Sequence, residues 1–261
     1  LGIGRLADIR GKKRIYFWGF VLFTIGSLLC AVSSTVEMLI AMRVAQAIGA
    51  SMILALGPAI TTEAFPSSER GKALGVTGSM VSIGIISGPV IGGLILGQAS
   101  WHWIFLVNLP VGVLGAWMVR RFVPDLPPAG GRRFDFAGAV TLFISMISLL
   151  LGLTFGQTAG FTAHAVLALF AGWLIFLIAF ILIELRVPEP MIDLRLFRNR
   201  LLRVNLFTGF MTFIANSGTI LLLPFYLQKA RGLDVTAVGL MMAVTPIAVG
   251  IVAPLSGSLS D

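Results

Sequence analysis

One arginine in this sequence stands where a charge is costly. Arg43 lies in the stretch 36–62, otherwise almost wholly apolar or small. It is about eight residues into that stretch, or about 12 Å at the rise of an α-helix. A charge near the centre of a bilayer costs at least about 2.5–3.5 kcal/mol. A charge kept there faces a bundle interior or a water-filled cavity, or ties helices together through backbone carbonyls. Gln46 follows at i+3, on the same helical face, within reach of Arg43 or of a bound solute.

Two further stretches carry residue types with a physical purpose. In GIISGPVIGG, residues 84–93, the glycines Gly84, Gly88 and Gly92 recur every fourth residue, and Gly93 and Gly97 widen the same smooth ridge. Small residues let helices approach closely in lipid, and Pro89 removes an amide donor and bends its helix. The expected product is a thin, bent helix, serving either close packing alone or a hinge. Near the start, Asp8 stands among Arg10, Lys12, Lys13 and Arg14 in what reads as a polar loop before the first span. A carboxylate there suits a neighbouring helix N-terminus.

The remaining polar residues point to no catalysis. The sequence has no G-x-x-x-x-G-K-[ST] loop for ATP, no Ser/His/Asp grouping, and two distant histidines, His102 and His164. Its one cysteine, Cys30, reads as a small apolar filler, so no disulfide framework exists and no metal or other cofactor is expected. Glu63 reads as a helix-end charge. Asn205 and Asn216, about three turns apart, suit a cavity or bonds between helices.

These residues must be positioned by membrane helices. The chain is 57% hydrophobic and 11% charged, against about 25% charged in a soluble domain. Eight segments reach the roughly 20 apolar residues that span a bilayer: 15–33, 36–62, 73–97, 103–122, 137–157, 165–184, 202–227 and 236–257. Ser34 and Glu37 have the spacing of a capping box at the start of the second segment. Of the 19 Lys and Arg residues, all but Arg43, Lys229 and Arg231 fall on one side of this arrangement, Arg132 and Arg133 among them. Positive charge marks the cytoplasmic side, which places both chain ends there. The same sorting explains the net charge of +8 without nucleic acid.

GRLAD at 4–8 and GSLSD at 257–261 share G-x-L-x-D at the same end of a span. The first continues to Gly11, Lys12 and Lys13, and this G-x-x-x-D-x-x-G-[RK]-[RK] pattern resembles the loop after the second helix of the major facilitator superfamily. The likeness extends through RVAQAIGAS (43–51), FPSSERGKALG (65–75), GIISGPVIGG, WHWIFLVNLPVG (101–112) and PFYLQKARG (224–232). His102 departs from the arginine usual in that family's fourteen-helix branch, and between Trp101 and Trp103 it suits interface anchoring more than pH sensing.

Eight spans between the two G-x-L-x-D copies, where twelve-helix members have six, point to the fourteen-helix drug:proton antiporters. The resemblance implies an all-α polytopic bundle, an internal segment with two helices before Leu1 and four after Asp261. It divides into residues 1–124 of an N-terminal bundle, 125–199 with two extra helices, and 200–261 opening a C-terminal bundle. The resemblance also implies export of small amphipathic or cationic compounds in exchange for protons, in the bacterial inner membrane, the alternatives being another exported cargo on the same fold, such as a siderophore or a lipid, or a non-transporting fragment. Arg43, Gln46 and Gly49 would serve transport and proton coupling. The Gly84–Gly93 motif, with Gly88, Pro89 and Gly92, would be a hinge between halves. Gly4, Asp8, Gly11, Lys12 and Lys13 would form a cytoplasmic gate in which Asp8 acts as a latch. The partners expected are the lipid bilayer, the small-molecule cargo and protons, with a periplasmic adaptor protein as a further one.

Overall fold

The computed structural model describes residues 2–125, 134–233 and 235–260. Leu1, Asp261, Arg132 and Arg133, all used above, lie outside the described residues, and so does the side chain of Pro89. Among the described residues ten α-helices follow in chain order: α1 (Gly2–Arg10), α2 (Lys12–Ala31), α3 (Val36–Ala64), α4 (Arg70–Gln98), α5 (His102–Leu106), α6 (Asn108–Phe122), α7 (Phe136–Ala159), α8 (His164–Glu184), α9 (Arg200–Phe225) and α10 (Val235–Ser260). No strand occurs among the described residues.

Six stretches among the described residues are long and apolar enough to cross a membrane: Lys12–Ala31, Val36–Ala64, His102–Phe122, Phe136–Ala159, His164–Glu184 and Arg200–Ala230. The other two expected segments are also helical. α4 has 29 residues and α10 has 26, and at about 1.5 Å per residue both exceed a hydrocarbon core of about 30 Å. The fold class is therefore an all-α polytopic membrane bundle, consistent with part of a major facilitator fold.

Local chemistry sets the boundaries, and two of them correct the sequence reading. The stretch expected as a polar loop is helical: α1 covers Gly2–Arg10 and α2 begins at Lys12. Only Gly11 breaks the helix, at φ 92°, a conformation costly for residues with a Cβ. Arg, Leu and Ala are good helix formers, and Ala7 is fully buried, so a polar sequence still forms a docked helix. The cap of α3 is Thr35 rather than Ser34. Its extended backbone (φ −128°, ψ 158°) lets Oγ1 accept from the Met38 amide at 3.2 Å. α3 stops where Pro66 forces Phe65 into an extended conformation. Asp135 starts α7 by accepting from the Gly138 amide at 2.8 Å.

The chain forms two compact units. One comprises Leu1–Ile9 and Ala129–Gly209, holding α1 and the antiparallel pair α7 and α8. That pair meets along a seam of small residues: Gly138, Ser145 and Gly152 recur at seven-residue spacing and are buried. Ser145 Oγ donates to the Trp173 carbonyl at 3.1 Å, and a Cβ at Gly152 would lie 3.2 Å from the Phe170 ring. The other unit, Arg10–Pro128 with Phe210–Asp261, is built around α2, which packs on both α3 and α6, while α4 packs on α10. Throughout, Ser27, Ser33 and Ser145 are fully buried, whereas Leu54, Phe213 and Leu240 are more than 70% exposed. Small groups fill the seams and large apolar groups face outward, as suits a lipid solvent.

Candidate functional site

The α2–α3 contact creates a directed chain of polar groups. Gly19 and Gly26 of α2 lie two turns apart and admit the backbone of α3. A Cβ at Gly26 would stand 2.6 Å from Gln46 Cα, and one at Gly49 would stand 2.8 Å from the Gly19 carbonyl oxygen and against the Phe23 amide. Into this close crossing project Ser27 and Gln46, with Gln46 only 4% exposed.

The Ser27 hydroxyl donates to the Phe23 carbonyl at 2.8 Å, so its oxygen accepts from Gln46 Nε2 at 2.7 Å. That leaves Gln46 Oε1 facing Arg43, whose Nη1 donates to it at 3.0 Å. The order of donors thus fixes the orientation of the amide. Arg43 also lies over the Phe105 ring, 4.9 Å from its centroid, a cation–π contact. Phe105 is itself packed with Cys30 and Ala31. The guanidinium is thus held from two sides, by the Gln46 amide and the Phe105 ring.

Arg43, Gln46 and Gly49 therefore come together, on one face of α3. Ser27, Gly19, Gly26 and Phe105 complete the site; the first three were absent from the sequence reading, and Phe105 entered it only within WHWIFLVNLPVG, with no role of its own. The seven-residue interval from Gly19 to Gly26, with Ser27 adjacent, was the available signal for the first three. For Phe105 the signal was its place in the WHWIFLVNLPVG motif.

The loop motif is divided between the units, with Gly4 and Asp8 on α1, and Gly11, Lys12 and Lys13 at the start of α2. Lys12 pairs with Glu63 at the end of α3, and Lys13 Nζ lies 3.3 Å from Asp125 Oδ2 beyond α6. Glu63 is thus a helix-end charge with a lysine partner. At the opposite end of the same helices, His102 Nε2 lies 3.3 Å from the Ser33 carbonyl oxygen and Trp101 stacks on the imidazole at 3.8 Å. These contacts show that α3 and α6 both run antiparallel to α2.

α4 runs helical without interruption through Gly84–Gly93. Its close approach to a neighbour lies elsewhere. Ser79 Oγ donates to the Gly250 carbonyl at 2.7 Å, and a Cβ at Gly78 would lie 3.7 Å from Ala253 Cβ. A Cβ built at Gly84, Gly88, Gly92, Gly93 or Gly97 meets nothing within 4 Å among the described residues. The motif ridge is open there, and the neighbour expected for it is not among the described residues. Asn205 and Asn216 on α9 are both exposed.

Long apolar helices with large hydrocarbon side chains outward, and an amide-held arginine at a glycine-lined crossing, mark the chain as a polytopic membrane protein. The chain belongs to the Major Facilitator Superfamily, whose sequence profile matches residues 1–261. It is similar to the riboflavin transporter RibZ of Clostridioides difficile, at 38% identity over 100% of this chain and 56% of the relative. It is also similar to multidrug resistance protein 3 of Bacillus subtilis, at 32% identity over 95% of this chain and 48% of the relative. Multidrug resistance protein Stp of Mycobacterium tuberculosis is 33% identical over 97% of this chain and 48% of the relative. The chain spans about half the length of the curated relatives it matches.

Proposed function

We propose that this chain is part of a secondary active transporter that exports small amphipathic or cationic compounds in exchange for protons, by alternating access. The observation that carries the proposal is Arg43: a guanidinium inside an apolar helix, aligned by Gln46 and Phe105, with donors left for an anionic or polar group. Proton release or cargo entry beside it would change the electrostatic balance that Arg43 sets. Multidrug resistance proteins among the relatives support the cargo class.

In this reading the chain is an internal segment of a fourteen-helix carrier in the bacterial inner membrane, with both its ends cytoplasmic. Residues 1–124 belong to the first bundle, 125–199 add a helix pair and 200–261 begin the second bundle. Gly84, Gly88, Pro89, Gly92 and Gly93 form the hinge, and Gly4, Asp8, Gly11, Lys12 and Lys13 the cytoplasmic gate. A periplasmic adaptor protein is a further partner.

A second reading, favoured by the similarity to a riboflavin transporter, keeps the fold and replaces the varied cargo with a single flavin-like solute. Dye efflux from vesicles holding the full-length carrier tests the first reading. Efflux should depend on an imposed proton gradient and be lost in Arg43→Ala. Gradient-independent movement, or normal export by the variant, overturns it. Flavin counterflow without dye efflux selects the second reading.

A further inference from the structure

The compact unit built from α1, α7 and α8 holds charges that the transport reading does not use. Asp135 at the start of α7 is 8% exposed and Glu184 at the end of α8 is 4% exposed. One oxygen of each is occupied: Asp135 Oδ1 accepts from the Gly138 amide at 2.8 Å, and Glu184 Oε2 from the Ile192 amide at 3.2 Å. The other oxygens, Asp135 Oδ2 and Glu184 Oε1, are buried without a hydrogen-bond partner among the described residues.

Both oxygens turn toward the same spot. A Cβ at Gly138 would press on Asp135 Oδ2 and lie 3.2 Å from Glu184 Oε1. Glycine at 138 is therefore what allows the two carboxylates to converge. Two buried carboxylates so close stay ionised together only beside a counter-charge, because removing each from water carries a penalty of several kcal/mol.

The matching cation is Arg5 of α1. Its side chain is 12% exposed, its Nε is buried without a hydrogen-bond partner among the described residues, and it lies within electrostatic range of Glu184. One terminal nitrogen stands 3.7 Å from Glu189 Oε2, on the segment after α8. α1 is docked by apolar contacts as well: Ile3 and Leu6 share a cavity wall with Phe143 and Met191, and a Cβ at Gly2 would lie 3.7 Å from Met191 Cε.

We infer that Arg5 is the counter-ion of the buried Asp135–Glu184 pair, and that this ion cluster clasps α1 to the α7–α8 helix pair. The clasp fixes the helix that carries Gly4 and Asp8, which gives α7 and α8 a role separate from any cargo pathway. Arg5 acts here as a positioning residue.

The experiment uses the full-length carrier in a cysteine-free background with Gly2→Cys and Met191→Cys. A short bifunctional methanethiosulfonate should join the two positions rapidly. Arg5→Ala should slow that reaction about tenfold, because it leaves two uncompensated buried charges. Adding Glu184→Gln should bring the rate back to within about threefold of the parent, because one fewer charge then needs compensation. An unchanged rate in Arg5→Ala overturns the clasp. So does a slowed rate that Glu184→Gln fails to rescue, since lost packing would not respond to a removed charge. The readout is independent of transport, so its failure leaves the proposed cargo and coupling untouched.

Discussion

Gln46 reaches from α3 to Ser27 on α2 at 2.7 Å, and this one hydrogen bond sets the direction of everything above it. Because Ser27 already donates its proton to Phe23, Gln46 must give its amide hydrogens to Ser27 and its carbonyl to Arg43. The interhelical bond therefore decides where the guanidinium points.

Gln46→Leu should preserve the shape of the crossing but remove both bonds. With a hydrogen bond to a charged group worth about 1.5–3 kcal/mol, the exporting fraction should fall by about tenfold or more at saturating dye. Gln46→Glu keeps an acceptor for Arg43 and should retain more activity than Gln46→Leu. Equal activity in the two variants would show that Arg43 needs no acceptor at 46.

The α2–α3 crossing leaves no room at Gly26. Alanine there meets Gln46 backbone atoms, with Cα at 2.6 Å, whereas alanine at Gly57 meets only the Tyr16 hydroxyl at 3.6 Å. Gly26→Ala should destabilise the purified carrier by about 1–3 kcal/mol. Gly57→Ala should stay near the parent in a thermal-unfolding series. Matching melting temperatures for the two would refute the close approach.

Two substitutions on α4 separate its packing face from its open ridge. Ser79→Leu places a large side chain where Ser79 is 7% exposed and donates to the Gly250 carbonyl. Overpacking of this kind costs about 1–3 kcal/mol, so folded yield should drop. Gly88→Leu faces open space among the described residues and should insert and fold, yet lose export if the ridge closes during the transport cycle. Wild-type export by Gly88→Leu would remove the hinge role.

Glu63 offers the opposite expectation. Its side chain is 43% exposed and paired with Lys12, and exposed pairs contribute about 0–1 kcal/mol. Glu63→Gln should leave proton-driven export within about twofold of the parent. A loss of proton dependence in this variant would make Glu63 a proton carrier instead of a helix-end charge.

The helices were legible because each runs apolar for about a bilayer's width, and Arg43 with Gln46 because a charge inside such a run has few physical explanations. The cap of α3 was misplaced by one residue because Ser34 and Thr35 carry the same hydroxyl, and only backbone angles choose between them. α1 was missed because a polar helix docked by Ala7 and Arg5 has no hydropathy signal. Gly19 and Gly26 were hidden among many glycines, which acquire meaning only when the partner helix is known. Arg5, Asp135 and Glu184 are scattered along the chain, and no local spacing announces their meeting.

The placement of small groups inside and bulky hydrocarbon outside has a practical corollary for anyone wishing to handle this protein in water. Its rim, at positions such as Leu54, Phe213 and Leu240, can be repainted with charged side chains. The seams at Gly26, Gly49, Ser145 and Gly152 must be copied unaltered, because they leave no room for a larger side chain whatever surrounds the helices. A designer who instead enriched those seams with leucine, as for an ordinary soluble core, would wedge the helices apart.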